Sequence, residues 1–68
     1  MTNDQKIQIL NFEKQKIEAE MYPIEVRARV SKKVGDPELN KRCMTELERL
    51  QKYLDAYDEE IKQIGDTT

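Results

Sequence analysis

Val34-Gly35-Asp36-Pro37-Glu38, residues 34–38, decides how this chain folds. Gly35 reaches the left-handed backbone that closes a helix C-terminus without the penalty a Cβ would bring. Asp36 is a good N-cap, and Pro37 suits the first helical position, where its missing N–H costs nothing. Glu38 puts a negative charge where the helix dipole favours one. The five residues therefore end one helix and start another. A link this short makes the two helices antiparallel neighbours.

The residues after the turn carry an unbroken heptad. Cys43, Leu47, Leu50, Leu54, Tyr57, Ile61 and Ile64 recur at alternating steps of four and three, and Leu39 extends the same face one turn earlier. This is the seam of a coiled-coil-like helix. Gly65 is its expected stop, with Asp66, Thr67 and Thr68 as a tail. Glu48 with Lys52, and Asp58 with Lys62, are spaced to pair along the helix surface.

Before the turn, Ile7, Leu10, Ile17, Met21, Ile24 and Ala28 keep the same kind of spacing. Lys14 fills the gap, and its aliphatic stem can lie along an apolar seam. Thr2 and Asn3 are N-cap types at the other end. Pro23 interrupts this stretch by removing the hydrogen bond to the Ala19 carbonyl. The apolar phase survives it, from Ile17 through Ile24 to Ala28, so a kinked but continuous helix is expected. The competing reading is a strand over 24–30, where Ile24, Val26, Ala28 and Val30 alternate with charged residues. Such a strand has no partner strand in this sequence and would pair only with another chain.

The expected fold is all-α: an antiparallel helical hairpin, kinked at Pro23 and assembling into a helical bundle. It is a single domain over 1–68, with helix 1 over 3–34, the turn at 35–36, helix 2 over 37–64 and a tail at 65–68. Each helix is on the order of 45 Å long at about 1.5 Å per residue.

Helix 1 also carries a second apolar stripe. Ile9, Phe12, Ala19, Val26, Val30 and Val34 fall on the side away from the first, whereas helix 2 has only Met44, Tyr53 and Ala56 off its seam. A lone hairpin leaves that stripe in water, and exposed apolar patches of this kind mark interaction surfaces. The expected partner is a protein: another copy of the chain, giving a homo-oligomer, or a different and larger protein.

Composition excludes much else. The chain has 68 residues, no His and one Cys. Without His, the usual neutral-pH general base is missing, and Cys/His zinc sites cannot be built. Gly35 and Gly65 stand alone, so no glycine-rich phosphate loop is present. Neither an enzymatic activity nor a cofactor or metal is therefore expected. A single Cys makes no intrachain disulfide, and the first residues lack the pattern of a signal peptide; a cytoplasmic location is the default. With 38% charged residues and no apolar run near the length of a membrane span, a membrane role is not expected.

Charge is segregated. Residues 1–23 carry a net −1, residues 24–42 a net +3 and residues 43–68 a net −4. In a hairpin this makes a rod with a basic turn and an acidic open end. Arg27, Arg29, Lys32, Lys33, Lys41 and Arg42 are candidates for contacting phosphate or an acidic partner. The sequence thus supports an interaction or assembly module, such as a small regulatory or inhibitory adaptor. The alternative is a small nucleic-acid-binding protein using segment 27–42. No aromatic is interleaved with these cations and the chain is acidic overall, which weakens that alternative.

Overall fold

The computed structural model describes residues 1–66. It has two helices, α1 (Asn3–Val34) and α2 (Pro37–Asp66), packed side by side as an antiparallel hairpin measuring 51 × 15 × 11 Å. Residues 24–30 are helical, and no strand occurs among the described residues, so the ribbon reading is corrected. α1 runs through Pro23 as one element. Pro23 is exposed, so its ring lies where it does not obstruct α2. Burial of Ala28 and partial burial of Ile24 beyond it hold the chain helical despite the lost hydrogen bond.

Both ends of α1 are closed by local chemistry. Thr2 Oγ1 accepts from the Gln5 N–H at 3.1 Å, and Gln5 Oε1 accepts from the Thr2 N–H at 2.9 Å. This reciprocal capping box satisfies two otherwise orphaned donors. At the other end Gly35 has φ 76° and ψ 41°. Its N–H donates to the Lys32 carbonyl at 3.3 Å, and the Asp36 N–H donates to the Ser31 carbonyl at 2.8 Å. These two bonds form a Schellman motif. Asp36 then starts α2, its carboxylate accepting from the Leu39 N–H at 3.1 Å. A Cβ on Gly35 would meet nothing within 4 Å, so the cost of Gly35→Ala is purely conformational. It is expected to be about 1–2 kcal/mol, read by chemical denaturation.

The seam is built as the heptads require. Leu50 and Leu54 are buried, and Leu39, Leu47, Tyr57, Ile61 and Ile64 are half-buried against α1. Facing them, Ile7, Leu10, Ile17, Met21 and Ile24 are half-buried and Ala28 is buried. Near the turn the seam narrows to the small residues Ala28, Ser31 and Cys43. Ser31 is fully buried at 0% exposure. Its hydroxyl donates to the Ala28 carbonyl at 2.7 Å, and the Asn40 side-chain amide donates to that carbonyl across the hairpin at 2.9 Å. Cys43 is a free, buried thiol that serves as a small apolar side chain.

Two expectations for α2 are corrected. The helix does not stop at Gly65 but continues to Asp66, because Gly65 keeps a negative φ and makes no left-handed cap. The tail positions Thr67 and Thr68 lie outside the described residues. Neither surface pair expected along α2 forms: Glu48 makes no ion pair with Lys52, and Asp58 reaches across the hairpin instead of to Lys62 and accepts from the Lys14 ammonium. Lys14 lies in the seam column, so its stem is covered while its head reaches Asp58 at the edge.

That hydrogen bond holds the Lys14 pKa above the ordinary lysine value; desolvation, the next largest effect, opposes it, and the charges of Asp58 and Glu18 reinforce it. On α2, Arg49 grips Glu46 through two bonds of 3.0 and 2.5 Å, which hold the Glu46 carboxyl below its ordinary value. The signs differ. The Lys14 contribution is present below the ordinary lysine pKa and is lost as pH rises through the raised one. The Glu46 contribution is present above the ordinary glutamate pKa and is lost as pH falls through the lowered one. Lys14→Met is therefore expected to flatten the alkaline limb of thermal stability against pH, and Glu46→Gln the acid limb. Both effects are small because the groups face water, and melting followed by circular dichroism across pH checks them.

Candidate functional site

The seam leaves the opposite side of α1 uncovered. Of the second stripe, Ile9, Phe12, Ala19, Val30 and Val34 are exposed, Val34 to 72%; Val26 is half-buried. Together they line the outer face of α1 over most of its length. Met1 joins them at the open end, where Met1, Gln5, Gln8, Ile9 and Phe12 border a shallow groove.

Two residues that sequence reasoning passed over complete the face. Lys16 and Pro23 share it, and with them the positions 9, 12, 16, 19, 23, 26 and 30 alternate at steps of three and four. This is a second heptad seam, displaced two residues from the one that holds α2. Lys16 hid it because it is charged, and Pro23 because it reads as a helix breaker. The Lys16 ammonium stands 4.8 Å from the centre of the Phe12 ring and bonds Glu13 at 2.9 Å. Its stem thus covers apolar surface while its charge stays at the edge.

α2 offers no matching face. Met44 and Tyr53 are exposed but fall on different sides of the helix. Tyr53 carries Arg49 over its ring at 5.7 Å. The hairpin residues Leu47, Leu50, Leu54, Tyr57 and Ile61 are occupied with α1 and form no surface of their own.

The six basic candidates all lie near the turn and are exposed. Among the described residues, none of Arg27, Arg29, Lys32, Lys33, Lys41 and Arg42 is held in an ion pair. They do not form one face: Arg27 and Arg29 project about 160° apart around α1. Arg27 and Arg42 do come together, on either side of a shallow groove that also includes Glu46. The arrangement gives a diffuse positive end rather than a shaped anion site.

Among the described residues no cluster of three or more His, Cys, Asp or Glu side chains is placed to hold a metal ion. No helix among them is long and apolar enough to cross a membrane. Set against family models, curated proteins and solved structures, the chain matches none of them.

Proposed function

We propose that this chain is a non-enzymatic protein–protein interaction or assembly module that works through the outer face of α1. One observation carries the reading: α1 has two heptad seams, apolar but for Lys14 and Ser31 in one and Lys16 in the other, and α2 covers only the first. Phe12, Ile9, Val30 and Val34 are left in water along a helix already held in shape by the other seam. Singly exposed apolar residues are ordinary, but a continuous row along a rigid helix is the form in which helices dock on protein. The hairpin supplies a rod; the outer face supplies the contact; the basic turn and acidic open end bias which way a partner lies. A regulatory adaptor acting on a larger protein fits this mode, as does self-assembly. A cytoplasmic setting agrees with it, since Cys43 is kept as a thiol there.

The nucleic-acid alternative has narrower support. Six unpaired cations at the turn favour it, but they radiate around the helices rather than line one groove.

Phe12→Asp combined with Val30→Asp tests the reading. Both side chains are exposed and remote from α2, so helicity is expected to persist. The double variant should lose self-assembly, or the protein captured by the wild-type chain. Assembly and capture unchanged from wild type would mean that the outer face is no interface.

A further inference from the structure

We propose that a second copy of this chain covers the outer face of α1, packed antiparallel about a two-fold axis level with Met21. This rests on the interaction reading above and names its partner.

Positions 12 to 30 of the second seam are symmetric about residue 21, and Ile9 falls level with Lys33 of the partner subunit. Turning one copy end for end at that level sets Phe12 opposite Val30 of the partner subunit, and Ala19 opposite Pro23 of the partner subunit. A large ring meets a small branched side chain and a methyl group meets the proline ring, while the Lys16 stem lies against Val26 of the partner subunit with its ammonium at the edge. Antiparallel helices joined by a heptad seam pack in such layers.

Charge favours the antiparallel orientation, and charge and seam together set the register: an axis between Ile24 and Glu25 would pair Glu20 with Arg27 of the partner subunit but would set Lys16 opposite Lys33 of the partner subunit and leave Phe12 beyond the end of the partner's α1. Glu13, Glu20 and Arg27 form one column beside the seam, each seven residues from the next. With the axis at Met21, Arg27 lies about 3 Å, measured along the helix, from the level of Glu13 of the partner subunit. Glu20 meets its own copy, which is the one like-charge contact. Sliding the axis half a heptad, to between Ile17 and Glu18, sets Glu13 beside Glu20 of the partner subunit. It also sets Lys6 beside Arg27 of the partner subunit, so like charges face each other at both levels. A parallel pair would align the +3 segments of both copies with each other, and the −4 segments likewise. The antiparallel pair puts the basic turn of one rod beside the acidic open end of the other.

Single cysteines read the register directly, in a Cys43→Ala background and again with buried Cys43 retained. Glu20→Cys lies about 3 Å along the helix from its own copy, whereas Glu13→Cys and Arg27→Cys lie about 24 and 18 Å from theirs. With a short bis-maleimide, Glu20→Cys alone is expected to give a covalent dimer. Glu13→Cys and Arg27→Cys are expected to stay unlinked alone and to link when mixed. Linking of every single variant to itself would overturn the antiparallel arrangement. If Phe12→Asp with Val30→Asp still dissolved that dimer, the outer face would remain an interface. A wild-type chain that sediments as a monomer up to millimolar concentration would overturn the second copy as partner. Loss of a captured protein from the Phe12→Asp, Val30→Asp variant would then leave the broader interaction reading standing alone.

Discussion

Leu50→Ala is expected to destabilise the hairpin by about 2–5 kcal/mol, the range for emptying a well-packed leucine site. Leu50 lies near the middle of α2 at 4% exposure. Only Ala28, Cys43, Leu50 and Leu54 are buried apolar side chains among the described residues, so each holds a large share of a small core. A chain of 68 residues has a stability of roughly 3–10 kcal/mol at the usual value per residue. Removing Leu50 should therefore leave a substantial unfolded population at ambient temperature. Denaturant titration followed by helical circular dichroism measures it. A loss below about 1 kcal/mol would show that the seam is not what holds the hairpin.

Ala28→Leu tests the same seam at its narrow end. Ala28 is 6% exposed, and its carbonyl accepts from Asn40 across the hairpin at 2.9 Å. That bond requires the two backbones to approach closely, which the small side chains Ala28, Ser31 and Cys43 permit. A leucine here must push the helices apart or adopt a strained rotamer, at about 1–3 kcal/mol. Separation also breaks the Asn40 bond, worth about 1 kcal/mol. Asn40→Ala alone should reproduce only that smaller loss. If Ala28→Leu were neutral or stabilising, the turn end would be loosely packed.

The hairpin was legible because its signals are local or periodic. Gly35, Asp36 and Pro37 each do in the structure what their own backbone chemistry requires. The α2 heptad needed no knowledge of α1 to be read. Residues 24–30 were ambiguous because one run of residues satisfied both period two and period 3.6. Packing decided it: Ile24 and Ala28 turn toward α2 while exposed Pro23 turns away. The long-range polar contacts were not legible. Lys14 meets Asp58 across 44 positions, and Asn40 meets Ala28 across 12. Both depend on the rotation of one helix against the other, which no spacing along the chain specifies. Ser31 was missed for a related reason. It occupies the seam column but is polar, and only the neighbouring Ala28 carbonyl makes its burial affordable.

The outer stripe of α1 was visible as a cluster of apolar residues, but its regularity was not. Lys16 and Pro23 break the pattern by residue type while keeping it by position. Only with α1 established as one unbroken helix on which α2 takes the other side does the second heptad emerge.

Hydroxyl-radical footprinting of Phe12 against Tyr53 tests most directly whether that outer face is an interface. The two rings are matched in the single hairpin, 58% and 53% exposed, and each has a cation over one face. Rates are referred to the Phe12-retaining variant Val26→Asp, Val30→Asp, which corrects for the different reactivity of the two rings. With the outer face covered, Phe12 should be protected in the wild-type chain relative to that variant, with Tyr53 unchanged. Equal labelling of Phe12 in both proteins, at the highest concentration reached and in the presence of any captured partner, would contradict it.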